Sequence, residues 1–138
     1  MRGKSFIRLL TGTALAALMA FGSSAAFSKT NTYQNGKFTD VPEKSWYAGE
    51  VASAYELGFM NGVSDTLYSP DGKVTVAQGI TMASRVHASY NGKQIESTGG
   101  EWYDMYVKYA LANGIIKENQ FDSYTRPIQR YEMAVLFA

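Results

Sequence analysis

Few residues of this chain could carry out bond chemistry, and those few stand apart. It contains no cysteine and a single histidine, His87, so thiolate nucleophiles, disulfide staples and thiolate metal sites are excluded together. A lone histidine cannot hold zinc without ligands from elsewhere, and neither an HExxH nor a GxSxG pattern occurs. The stretch Asp65 to Asp71, with Ser64, Thr66 and Ser69, lacks the oxygen ladder and closing glutamate of an EF-hand and reads as a turn. Glu101 and Asp104 lie three apart on one helical pattern, where they complement the helix dipole rather than form an acid–base pair. No catalytic residue, no metal site and no cofactor is expected.

The chain does supply aromatic surface. Its two tryptophans, Trp46 and Trp102, and its ten tyrosines offer apolar faces with polar edges, a combination suited to sugar rings. Tyr47, Tyr103 and Tyr106 fall on helical stripes and read as core, whereas Tyr68 and Tyr124 stand in loops ahead of second helices and are groove candidates. Each tryptophan opens a helical pattern. A large aromatic there reads first as the closure of a small core, with the wall of a groove as the alternative.

Positioning these groups requires helices, and the sequence marks where they start and stop. Ser45 is an N-cap candidate, and Tyr47, Val51, Ala54 and Leu57 recur at helical spacing, so Trp46 to Leu57 is expected to be a helix stopped by Gly58. Asn61-Gly62 and Ser69-Pro70-Asp71-Gly72 mark two tight turns after it. Thr75 with Gln78 three residues on forms a capping box that starts a second helix, running to about Tyr90. A third helix is expected from Glu101 to Asn113, stopped by Gly114, and a last one from near Gln129. His87 is expected as a packed or half-exposed residue of the second helix, and Asp40 as a turn residue bonding the amides of Val41 to Ser45.

One stretch occurs twice. Trp46, Gly58, Phe59, Met60 and Tyr68 are matched by Trp102, Gly114, Ile115, Ile116 and Tyr124 at a constant offset of 56 residues. Such a period implies two copies of one supersecondary unit, each needing a neighbour to close its core. The expected layout is residues 1–26 as a signal peptide, 27–37 as a linker, 38–92 as the first repeat, 93–100 as an inter-repeat loop and 101–138 as a second repeat truncated at its end. The apolar run at Met133 to Ala138 has no cap after it, so the chain is expected to continue into a longer protein.

The beginning of the chain carries the pattern of export. Arg2, Lys4 and Arg8 precede an apolar run from Leu9 to Phe21, and Ser24-Ala25-Ala26 offers a small-residue cleavage site. The run is shorter than the ~20 apolar residues of a spanning helix, so no stable membrane insertion is expected after cleavage. Removing it leaves ten Lys or Arg against twelve Asp or Glu, a balance of about −2 that provides no basic stripe for nucleic acid.

These motifs together resemble the S-layer homology (SLH) domain of bacterial surface proteins. Phe38-Thr39-Asp40-Val41-Pro42 with Ser45-Trp46-Tyr47 looks like the family's FxDVP…W opening. Glu56 to Gly62 looks like its glycine corner, and Leu67 to Thr75 is similar to the run into its TRAE motif. The resemblance spans Phe38 to about Tyr90 and then Trp102 to Ala138. It implies an all-α fold of tandem helix–loop–helix repeats, two of them here, in a pseudo-threefold bundle whose third member is missing. It also implies a non-catalytic anchor at the cell wall or S-layer surface, whose partner is a secondary cell wall polysaccharide, often pyruvylated, with oligomerisation left open.

The alternative is the amino-terminal anchor of a larger surface hydrolase or of a self-assembling S-layer protein. For the ligand, the resemblance points to the TRAE arginine, whose planar fork suits a carboxylate. The first repeat has Val76 and Gln78 at the arginine and glutamate positions. The second keeps both as Arg130 and Glu132, which makes Arg130 the leading ligand group; Arg126, four positions earlier in the preceding loop and outside the family motif, is expected as a second charge. Trp46, Trp102, Asn61, Gly62, Tyr68 and Tyr124 complete the expected polysaccharide site.

Overall fold

The longest helix among the described residues starts where two side chains lock each other. Thr75 Oγ1 accepts from the Gln78 N–H at 3.2 Å and Gln78 Oε1 accepts from the Thr75 N–H at 2.9 Å, the capping box expected from the sequence. In a computed structural model, which describes residues 27–138, this helix runs Val76–Tyr90 and is the second of four. They are α1 (Ala48–Glu56), α2 (Val76–Tyr90), α3 (Asp104–Ala112) and α4 (Arg130–Leu136). The described residues contain no strand beyond an isolated bridge between Thr75 and Pro127, so the fold is all-α as expected. The expected signal peptide lies outside the described residues. No helix among the described residues is long and apolar enough to cross a membrane.

The 56-residue period is written into the hydrogen bonds of α1 and α3. Ala48 N–H donates to Ser45 O at 3.1 Å and Asp104 N–H to Glu101 O at 3.0 Å; Phe59 N–H donates to Ala54 O and Ile115 N–H to Ala110 O, both at 2.9 Å. Gly58 and Gly114 both sit at φ +71° and turn the chain out of its helix, a conformation that costs a residue with a Cβ about 1 kcal/mol. Both helices start later than the sequence suggests, because the residues around each tryptophan form a tight turn first. Ser45 is not the N-cap. Its hydroxyl donates back to Pro42 O at 2.7 Å, and Tyr47 occupies the cap without a side-chain bond.

The core does not follow the sequence units. One apolar cluster gathers Phe38, Val41 and Val51 around α1, with Tyr33, Tyr55 and Tyr68 packed against it. The larger cluster joins Val76, Ile80 and Ala83 of α2 to Tyr106 and Ala110 of α3 and Leu136 of α4. Among the described residues α2 packs against α3 and α4, and α1 packs against no other helix. Gly79 allows the close approach of α4, since a Cβ there would lie 2.9 Å from Ile128 Cδ1 and 3.2 Å from Leu136 Cδ1. Ser84, fully buried, donates to Tyr106 O across α2 and α3 at 3.2 Å, so its hydroxyl is satisfied.

Two further segments are pinned down. The N–H groups of Val76 and Ala77, which have no partner inside α2, donate to the carbonyls of Arg126 at 3.0 Å and Tyr124 at 2.8 Å, so the loop before α4 caps α2. Residues 27–37, read from the sequence as a linker, hold the end of α1: Thr30 and Asn31 N–H donate to Glu56 O at 2.7 and 3.1 Å, and Asn31 Nδ2 donates to Tyr55 O at 2.8 Å. Tyr33 then stacks near Phe38 and Tyr55, with ring centroids 6.2 and 6.1 Å away. The sequence signal missed here was a single aromatic in a polar stretch.

Candidate functional site

Gln78, Met82 and Arg85 lie four and three residues apart along α2 and therefore share one face. That face forms the floor of a cleft of about 520 Å³. The corner after α1 supplies one wall through Phe59, Asn61 and Gly62, the loop into α2 supplies another through Tyr68, Ser69 and Lys73, and Trp102 closes it from the second unit. The cleft thus spans both sequence units.

The loop wall is set from below by Asp40. Its carboxylate accepts from the Tyr68 N–H at 2.9 Å and the Ser69 N–H at 2.6 Å, a cross-link over 28 residues rather than the local turn bonds expected. The Tyr68 amide, foremost, holds the Asp40 carboxyl below its ordinary pKa. Ser69, at φ +62°, adopts a left-handed conformation that an L residue disfavours, and the two amide bonds to Asp40 over-determine it. Tyr68 is half-buried, which pushes its phenol pKa up, and its O–H donates to Met60 Sδ at 3.2 Å.

Charge in the cleft has one sign. Lys73 and Arg85 line it, and no aspartate or glutamate does. Arg85 Nη2 donates to the Tyr106 hydroxyl at 2.9 Å and Nη1 to Phe59 O at 3.4 Å, with the guanidinium 5.1 Å from the Tyr106 ring centroid. These contacts fix its direction. Arg85 and Lys73 were not among the residues expected from the sequence, although the 78, 82, 85 spacing on one face of α2 held the signal for Arg85.

Of the expected site residues, Asn61, Gly62, Tyr68 and Trp102 meet in this cleft. Trp46 does not line it and is 87% exposed; Trp102 is 56% exposed. The core role read first for both tryptophans is therefore overturned. Each helix begins two residues after its tryptophan, leaving the indole on a turn outside the apolar stripe, edge-on to Tyr47 at 5.5 Å and to Tyr103 at 5.4 Å. Tyr124 packs against the core beside Tyr103, with ring centroids 5.6 Å apart.

The arginines divide in an unexpected way. Arg126 is consumed by internal pairs, forking onto Glu132 at 2.9 and 2.7 Å and bonding Asp122 at 2.6 Å. Glu132 is buried and also accepts from the Gln129 N–H at 2.9 Å, so the start of α4 keeps a glutamate cap without a threonine. Arg130 is exposed on the first turn of α4 and lines neither the cleft described above nor the apolar one between the end of α2 and α4. Val76, its counterpart in the first repeat, is fully buried and serves the core. His87 is half-buried and bonds Tyr109 Oη through Nδ1 at 2.9 Å, as a packed helix residue.

Comparison with known proteins bears on the family of this chain. Residues 37–78 match the model of the S-layer homology domain. The chain is 30% identical over 111 residues to a surface-layer 125 kDa protein of Lysinibacillus sphaericus, covering 73% of this chain and 9% of that protein. It is 34% identical over 83 residues to a cell surface protein of Thermoanaerobacter kivui, covering 60% of this chain and 10% of that protein. The chain thus matches about a tenth of the length of these curated relatives. No solved structure matches it at a significant level. Residues 37–78 thus form an S-layer homology domain, and the chain is similar to exported bacterial surface proteins, which supports a cell-surface anchoring role.

Proposed function

We propose that the module anchors its protein by binding a secondary cell wall polysaccharide in the cleft between its two repeats, 38–92 and 101–138, without catalysis. One observation carries this reading: Asn61, Gly62 and Tyr68 meet Trp102, 34 residues beyond Tyr68, in one cleft whose walls hold two cations and no carboxylate. An open indole and a phenol suit sugar rings, and the charge suits an acidic, pyruvylated polymer. Arg130 and Glu132 mark the corresponding start of the second repeat's last helix, where Glu132 orders the turn and Arg130 faces outward to add charge for the polymer. Trp46, exposed outside the cleft, is a secondary contact, whereas Tyr124 serves the core. Cleavage after Ala26 releases the module from its export signal.

Retention on purified wall sacculi, before and after the pyruvylated polymer is stripped, tests this. Retention that drops on stripped walls is expected, and equal retention on both overturns it. A second reading, in which the module tethers a self-assembling lattice protein, is favoured by the relative that is itself a surface-layer protein. A long β-rich continuation without catalytic motifs would distinguish it from an anchored hydrolase.

A further inference from the structure

We infer that Arg85, rather than any arginine at the TRAE position, is the group that reads an acidic substituent in the cleft, with Tyr106 as the residue that positions it; this rests on the polysaccharide reading above. Val76 stands where the first repeat would carry the motif arginine, and it is fully buried in the core, so that position points no charge into the cleft. Further along the same helix, Arg85 lines the cleft. It forms no ion pair with any Asp or Glu among the described residues.

The geometry is that of a prepared anion receptor. An arginine carries five N–H donors, and here one goes to the Tyr106 hydroxyl and one to Phe59 O, both neutral acceptors that leave its charge uncompensated. Tyr106 is buried, and α3 carries it from the second repeat, so the docking of one repeat on the other sets the direction of a cation held by the first. Lys73, on the loop into α2, adds a second charge on a flexible stem. A planar fork held still beside an indole and a phenol recognises a carboxylate fixed on a sugar ring, because a bidentate pair rewards a planar oxyanion at a set distance from a stacking face.

The test is a calorimetric titration of the exported protein with three probes: a pyruvate-ketal disaccharide, its methyl ester, and the same disaccharide bearing a phosphate monoester in place of the ketal. The wild type is expected to bind the ketal acid about tenfold or more tightly than the ester, the yield of one charge-assisted fork. The phosphate is expected to bind more weakly than the ketal acid; tighter phosphate binding would overturn the carboxylate assignment. Arg85→Gln is expected to abolish the acid-over-ester preference, with its circular dichroism spectrum and melting temperature reporting the fold. Tyr106→Phe, which keeps the ring and removes the acceptor, is expected to reduce the preference several-fold. Full acid-over-ester preference in Arg85→Gln would overturn the role of Arg85 and leave the polysaccharide reading standing. A wild type that binds none of the probes and no sacculi would remove both.

Discussion

Arg126 and Glu132 face each other six residues apart through two parallel hydrogen bonds, 2.9 Å from Nη1 to Oε2 and 2.7 Å from Nη2 to Oε1. The pair closes the turn into α4, and the backbone of that same turn caps α2 through the carbonyls of Arg126 and Tyr124. The loop before α4 is thereby a structural part of the start of α2.

This pairing makes the fold sensitive to acid. The Arg126 fork, followed by the Gln129 amide, draws the Glu132 carboxyl from an ordinary 4.5 down to about 2. Asp40 is lowered in the same direction from 3.8 by the Tyr68 and Ser69 amides. A carboxylate with a depressed folded-state pKa contributes stability that is fully present above its unfolded value and lost as pH falls through the folded one. Melting temperature is therefore expected to hold from neutral pH down to about 5 and to fall steadily toward about pH 2. Glu132→Gln is expected to lower the neutral-pH melting temperature and flatten the acid limb; an unchanged acid limb would show that this carboxylate contributes nothing.

The two neighbouring arginines are expected to fail in different ways. Arg126→Ala leaves the buried Glu132 without its fork and is expected to lower the melting temperature with wall retention reduced only through unfolding. Arg130→Ala removes an exposed side chain, so the melting temperature is expected to stay within about 2 °C while polymer retention falls. Retention assays on both variants at a temperature where each is folded separate the two effects. The reverse order would move the polymer contact to the loop.

Ile80→Ala should cost about 2–5 kcal/mol, since Ile80 is fully buried where α2 meets the second repeat. Chemical denaturation followed by far-ultraviolet circular dichroism checks this. A loss below about 1 kcal/mol would mean that the junction relaxes to fill the cavity.

The tryptophans provide a matched comparison. Trp102 lines the cleft and Trp46 does not, although both are exposed on equivalent turns. Trp102→Ala is expected to weaken polymer binding several-fold, up to about tenfold, with little change in stability, and Trp46→Ala to weaken it less. Equal losses for both would place the binding surface outside the cleft.

Much of the fold was legible in the residues. The Thr75–Gln78 box, the glycine stops at 58 and 114 and the 56-residue period each reflect local chemistry, and local chemistry is what a sequence records directly. Of the eight residues expected at one site, Asn61, Gly62, Tyr68 and Trp102 line one cleft, whereas Arg130, Glu132, Trp46 and Tyr124 do not. Three things were hidden because they depend on distant partners. Asp40 reaches amides 28 residues away instead of its own turn, and Tyr33 enters a core from a polar stretch. Arg85 gained its setting from Tyr106, whose helix belongs to the other repeat.

The arrangement of the two apolar clusters has a consequence for anyone who would cut or splice this protein. The written period and the physical brick are out of phase: the copied unit ends after α2, whereas the contacts that hold α2 begin there. A graft made at the seam between copies would strand one helix from its bedding. A graft made in the loop between α1 and α2 would carry α2 away with α3 and α4, the helices it packs against.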